Sequence, residues 1–238
     1  MHAYATDARD RERIPIWLAI VSVIAALFLH TTLDTFNLDI PWWVESPSVM
    51  GFYGLLHVWF DNVGWHLRVA GMRLSSIPDI RGTWVGSIKS SYQDGGQTQA
   101  VIHIRQTWMR LIVRLETETS RSVSTMAALN TYEAAESGLK YEYLNEPGNF
   151  SVPTMQIHRG TTHLQISTDE TILEGDYYTG RGRQNIGSMI FQRVSRGSLT
   201  RTEALRQISQ LHLSDGQNVH QSVDRQAIAE SKRDINAA

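Results

Sequence analysis

The chain has 238 residues and a formal net charge of −2, from 22 Lys and Arg against 24 Asp and Glu. That balance predicts neither DNA or RNA nor a charged surface as the main partner, and the absence of cysteine excludes a disulfide framework, a cysteine nucleophile and a thiolate metal site. Mean hydropathy is −0.26, but apolar residues crowd toward the N-terminus, and enough chain follows them for one ordinary domain.

An N-terminal arm, residues 1–13, carries Arg9, Arg11 and Arg13. Residues 14–33 hold no formal charge. Twenty residues of helix cover roughly 30 Å, the depth of the hydrocarbon core, so this segment is expected to be transmembrane helix 1. It is longer than a signal-peptide h-region and lacks a small-residue cleavage site. Residues 34–48 are expected to form a hairpin loop, with Pro41, Trp42, Trp43 and Pro47 as turn formers and interfacial aromatics. Residues 49–69 are expected to form transmembrane helix 2, the alternative being an amphipathic helix on the membrane surface. His57 and Asp61 lie one turn apart within it. An ionisable group there either serves self-association or a pore, or sits near the interface and snorkels. No Lys or Arg falls between Arg13 and Arg68. By the positive-inside rule both ends are cytoplasmic and the loop is periplasmic.

After Pro78 the pattern changes to period two. Trp84, Gly86 and Ile88 alternate with Val85, Ser87 and Lys89, and Asp94-Gly95-Gly96 is a hairpin signal. Ile102 and Ile104, then Leu111, Val113 and Leu115, continue the alternation before a Ser/Thr/Met/Ala stretch from Ser120 to Leu129. Tyr141 and Tyr143 mark another strand, closed by an expected turn at Asn145-Glu146-Pro147-Gly148. Met155–His158 with Leu164–Ser167, Ile172–Tyr178 and Ile186–Val194 complete about eight short antiparallel strands within residues 76–195. The expected fold is an all-β soluble domain, a small up-and-down antiparallel β-barrel able to hold one small ligand. Gly82-Thr83-Trp84 favours the barrel over a sandwich, because a Trp there can plug its bottom. Arg105, Arg110 and Arg114 read as a solvated outer face. In the tail, residues 196–238, Thr200 or Thr202 caps an expected helix bearing Ala204, Leu205, Ile208 and Leu211.

No catalytic constellation, P-loop or metal-ligand spacing occurs. Gly180-Arg181-Gly182-Arg183 reads first as a glycine hairpin, although two guanidiniums beside flexible backbone suit a phosphate diester. Tyr141, Tyr143, Tyr177 and Tyr178 read either as barrel wall or as a stacking surface for nucleobases.

These features together resemble a known family. Two N-terminal apolar helices precede Gly82-Thr83-Trp84. Tyr141-Glu142-Tyr143-Leu144-Asn145 and Tyr177-Tyr178-Thr179-Gly180-Arg181 come later, with Gly187 and Arg193 in the last strand. Over residues 12–195 the chain resembles the two-transmembrane, β-strand-rich effectors of CBASS antiphage defence. The resemblance implies a non-enzymatic protein of the bacterial inner membrane, without cofactor, whose cytosolic barrel binds a cyclic dinucleotide messenger. Binding would drive homo-oligomerisation and disruption of the lipid bilayer. On this reading Tyr141, Tyr143 and Tyr177 meet the bases, Asn145 lies beside them, Arg181 and Arg183 meet the phosphates, Trp84 supports the pocket, and His57 and Asp61 serve the membrane output. Two other readings stay open: a membrane-tethered, lipocalin-like carrier of apolar ligands, and a structural adaptor with a solidly packed barrel.

Overall fold

The computed structural model describes residues 1–36, 42–91, 96–131, 137–148, 157–180 and 185–210, with backbone only for 42–47. Eight strands build the domain: β1 (Gly82–Ser90), β2 (Gln97–Gln106), β3 (Arg110–Glu116), β4 (Ser120–Asn130), β5 (Gly138–Pro147), β6 (His158–Ile166), β7 (Ile172–Thr179) and β8 (Ile186–Ser195). Each pairs antiparallel with the next, and β8 pairs back to β1, so the sheet closes. The expected up-and-down barrel is therefore present. Closure needs Gly82: its φ of +127° is open to glycine, and a Cβ there would lie 2.0 Å from the Ser195 carbonyl oxygen. A register shift between Arg193 and Ser195 marks the same corner.

Alternation along the strands fills the lumen in two zones. Toward one end it is apolar, with Trp84, Ile102, Leu111, Leu129, Leu139, Leu164, Leu173 and Phe191 almost completely buried. Toward the other end the inward positions are Tyr, Asn, Ser and Thr. Three elements depart from the sequence pattern. Ser120–Asn130 is an 11-residue strand despite its small polar residues, because the barrel gives it partners on both sides. β5 runs on through Asn145 to Pro147, since Ser120 and Arg121 pair with Pro147 and Glu146, so the expected turn begins later. His158–Ile166 is one continuous strand where two fragments were expected. The Asp94-Gly95 part of the first hairpin signal lies outside the described residues.

The β3–β4 seam is incomplete. Only Arg114–Glu116 pair with Arg121–Val123. Beyond them the N-terminal arm wedges in: His2 and Ala3 pair with Leu111 and Arg110, while Ala5 and Thr6 pair in parallel with Ala128 and Leu129. Ser124 ties this wedge to the wall. Its hydroxyl accepts the Val113 N–H at 2.9 Å and meets His2 Nε2 at 2.8 Å.

The arm leads directly into α1 (Asp10–Thr35), which begins four residues before the expected start. Asp10 anchors that start by accepting hydrogen bonds from the hydroxyls of Ser75 and Ser76. Ile16, Trp17, Ile20, Val21, Ile24, Leu27 and Phe28 remain exposed along α1. Among the described residues it has the length and composition needed to cross a membrane. α2 spans Trp42–Asn62 and packs beside α1. It starts earlier than the expected Val49 and also ends earlier, so Trp42, Trp43 and Pro47 belong to helix where a loop was expected. A single 3-10 turn, Gly64–His66, and a short hairpin, Arg68–Val69 with Met72–Arg73, bring the chain to the barrel. Residues 201–210 form α3, capped by Thr200 and Glu203, whose carboxylate accepts from the Thr200 N–H at 2.9 Å. Ala204 and Ile208 of α3 pack on Val85, Val101 and Val194 outside the barrel. Leu211, expected on the same face, lies outside the described residues.

Candidate functional site

Both helices join the barrel at its apolar end. The tight turn between β2 and β3 is the point of attachment. The Trp108 N–H donates to the Asp61 carbonyl at 3.0 Å, and the Met109 N–H donates to Asp61 Oδ1 at 2.7 Å. Phe60 and His57 set their rings edge-on to the buried Trp108 indole, at 5.1 and 6.3 Å. Tyr4 of the arm donates its hydroxyl to the Trp108 carbonyl at 2.8 Å, and Arg11 of α1 donates to the same oxygen at 3.1 Å. The arm, α1 and α2 therefore all grip one turn. Asp61 and His57 sit at this junction in the closing turns of α2.

At the opposite end of the barrel, among the described residues, the lumen is not filled by side chains. A cavity of about 280 Å³ enters the lumen there. Four residues singled out from the sequence converge on it: Tyr141, Tyr143 and Asn145 from β5 and Tyr177 from β7. The period-two pattern places them, since every second residue of each strand faces inward. Tyr141 and Tyr143 lie with ring centroids 6.2 Å apart, and His158 meets Tyr143 edge-on at 6.4 Å. Burial pushes the Tyr141 phenol up to about 12, so it stays a neutral donor at physiological pH.

Cross-strand glycines make room for two of these rings. Gly160 pairs with Tyr143, and a Cβ on it would lie 2.3 Å from the Tyr143 hydroxyl oxygen. Gly187 pairs with Tyr177, and a Cβ on it would lie 2.4 Å from Tyr177 Cε1. Each ring lies flat over a bare stretch of neighbouring strand, which fixes its tilt into the cavity.

The remaining lining includes residues with no sequence signal of their own. Thr98, Thr117, Ser120, Ser122 and Thr179 bring hydroxyls to the wall, and Ile88, Leu115 and Met189 form an apolar base. Only the register across the closed sheet reveals the hydroxyls, whereas Ile88 and Leu115 already belong to the apolar alternation. Among the described residues no cluster of His, Asp and Glu could hold a metal ion.

Two expectations need restating against this geometry. Trp84 does not line the cavity. It lies four residues back along β1 from Ile88, roughly 13 Å at the strand rise. There it is fully buried, its indole N–H donates to the Ile80 carbonyl at 3.1 Å, and the Arg193 guanidinium covers its ring at 4.8 Å. It plugs the helix-bearing end instead of supporting the pocket, because two residues along a strand from Gly82 is too near the corner to reach the mouth. Arg181 and Arg183 lie outside the described residues. In sequence they fall between Thr179 and Asn185, both of which line the cavity. Tyr178 faces outward and is exposed.

The comparisons with known proteins divide the chain at the same place. Residues 75–193 match the family model described as Cap15, cyclic dinucleotide receptor domain, and residues 12–66 match that described as Cap15, TM helices. The chain is also 28% identical over 181 residues to CD-NTase-associated protein 15 of Yersinia aleksiciae, covering 75% of this chain and 86% of that protein. The receptor match spans the eight barrel strands nearly end to end, and the helix match spans α1 and α2. The barrel and the N-terminal helices are thus the two halves of one membrane-associated cyclic-dinucleotide receptor, and the chain belongs to the Cap15 family of CBASS antiphage proteins.

Proposed function

We propose that the cavity of Tyr141, Tyr143, Asn145 and Tyr177 is where the cyclic dinucleotide binds, and that binding releases a membrane-disrupting assembly of the α1–α2 hairpins. The observation that carries this is the convergence of those four side chains on one cavity at the barrel end away from the helices. Phenol rings offer faces for bases, and the surrounding hydroxyls suit base edges and phosphate oxygens. At 280 Å³ the cavity is just below the roughly 300–1,000 Å³ of small-molecule sites. A cavity of this size suits one base and ribose, with the second nucleotide at the rim beside Thr179 and Asn185. A hydroxyl-rich wall suits such a ligand better than an acyl chain, which is why sensing is preferred to the carrier reading.

The coupling runs along the β3–β4 seam. Its cavity end supplies Leu115, Thr117, Thr119, Ser120 and Ser122, and its other end holds the arm that leads into α1. A ligand that tightens one end changes the fit of the wedge at the other. It shifts the assembly only through different affinity for the two states. In this reading α1 and α2 span the inner membrane with both termini cytoplasmic, copies associate on activation, and the protein catalyses no reaction.

Co-expression with a cyclic-dinucleotide-producing nucleotidyltransferase tests the proposal. Dye entry into cells is expected to require both proteins and to disappear with Tyr177→Ala at equal protein level. Dye entry without the messenger, or undiminished in the variant, contradicts it.

A further inference from the structure

A second and larger recess, about 520 Å³, lies on the outer wall of the barrel at the helix-bearing end. It is framed by β2, β3 and the segment 196–201. Arg105 and Arg114 reach it from outward strand positions, joined by Arg81, Arg196 and Arg201. Asp79 holds Arg81 and Arg196, at 2.8 and 2.7 Å, so those three groups leave one positive charge. Glu116, also on the wall, is paired with Arg121 at 3.0 Å. Among the described residues, no carboxylate pairs with Arg105, Arg114 or Arg201. Among the described residues, the Nε of Arg201 is enclosed without an acceptor. Enclosing a charged donor without a partner is costly, and guanidiniums around one recess repel each other unless an anion joins them.

The position of the recess names the anion. The Arg81 guanidinium covers the Trp65 ring at 5.2 Å, and Trp65 is three residues beyond the end of α2. Arg105 is three residues before Trp108, whose N–H is held by Asp61. On the reading that α1 and α2 cross the bilayer, the recess sits beside the end of α2 and so at headgroup depth. Guanidiniums take phosphate oxygens in paired, charge-assisted hydrogen bonds. We infer that this recess binds the phosphate of an anionic phospholipid headgroup, seating the barrel against the bilayer independently of the ligand in its mouth. The basic residues of β2 and β3, which look like a solvated face in the sequence, become a lipid contact once Arg201 is folded beside them.

Native mass spectrometry of the full chain released from detergent micelles tests this, with phosphatidylglycerol and phosphatidylcholine of matched acyl chains as probes. Wild type is expected to retain phosphatidylglycerol selectively. Arg105→Gln/Arg114→Gln/Arg201→Gln is expected to weaken that retention about a hundredfold, since it removes three cations at the membrane surface. Equal retention by the triple variant, or equal retention of the two lipids by wild type, overturns the inference. So does glycerol phosphate binding as tightly as phosphatidylglycerol, which would make this a site for soluble phosphate. Arg105→Gln/Arg114→Gln changes only strand positions on the outer face and leaves the start of α3 intact. If it keeps full lipid selectivity, the inference also fails. A preserved thermal response to cyclic dinucleotide reports that each variant is folded.

Discussion

Replacing Gly160 by Ala separates ligand binding from barrel stability. The new Cβ would lie 2.3 Å from Tyr143 Oη, 2.4 Å from Cζ and 2.8 Å from Cε1. Ordinary carbon contacts begin near 3.5 Å, so the ring must retreat by about 1 Å, away from β6 and into the cavity. Gly160 has no left-handed φ, so the backbone accepts Ala. Overpacking costs about 1–3 kcal/mol, offset by about 0.4–1 kcal/mol from the stiffer unfolded chain. Tyr143 ends at a phenol tip that can move, which keeps the net loss near 1 kcal/mol. The loss of affinity is larger. Misplacing one stacking surface removes up to about 1–3 kcal/mol, a weakening of roughly 5- to 150-fold. Gly187→Ala makes the contrast, because its Cβ would lie 2.2 Å from the Lys89 carbonyl oxygen. Backbone in the β8–β1 ladder cannot retreat as a ring does, so this variant loses stability first. Calorimetric titration with cyclic dinucleotides and thermal melts of the full chain in detergent measure both quantities. If Gly160→Ala binds as wild type does, Tyr143 is not a ligand contact and the reasoning fails.

Three further outcomes follow from other parts of the molecule. Asp61→Leu leaves the Met109 N–H without its acceptor, so melts should show a loss of about 1–3 kcal/mol, while Asp61→Asn retains an oxygen there and most of the stability. If both variants melt alike, the carboxylate is not holding the turn. Ser124→Ala removes the hydroxyl shared by Val113 and His2, and hydrogen exchange should rise at residues 2–6 before it rises elsewhere. Unchanged exchange in the arm would show that the wedge does not depend on Ser124. Burial raises the Asp79 carboxyl, but the Arg81 hydrogen bonds and the Arg81 and Arg196 charges outweigh it and hold it below its ordinary value. A carboxylate depressed on folding contributes stability that is complete above its unfolded value, about 3.9, and is lost as pH falls through the lower folded value. Melting temperature should therefore fall more steeply below about pH 4 in wild type than in Asp79→Asn; parallel curves would remove Asp79 from the acid response.

The strands were legible where apolar residues alternate, as in Ile102–Ile104 and Leu111–Leu115. Ser120–Asn130 was hidden because its pairing comes from both neighbours and not from β-branched side chains of its own. Tyr141, Tyr143 and Tyr177 are conspicuous as large aromatics on two strands, and the barrel brings them together with Asn145. Trp84 carried the same signal but belongs to the plug, since sequence gives the face of a strand and not the depth along a barrel. The hydroxyl lining, the wedge of the N-terminal arm and the Arg201 side of the outer recess depend on contacts between residues far apart in the chain. No local pattern encodes those. Asp61 is conspicuous in an apolar run, yet its partner is the Met109 backbone, which no side-chain motif can announce.

The central claim places a cyclic dinucleotide in the mouth of the barrel. Photocrosslinking the full chain in lipid nanodiscs with a cyclic dinucleotide carrying a photoreactive base, followed by peptide mapping, tests it most directly. The account predicts label on peptides holding Tyr141, Tyr143 or Tyr177, competed by unmodified messenger and lost in Tyr177→Ala. Competed label confined to the outer wall around Arg105 and Arg114, or no competed label at all, would contradict it.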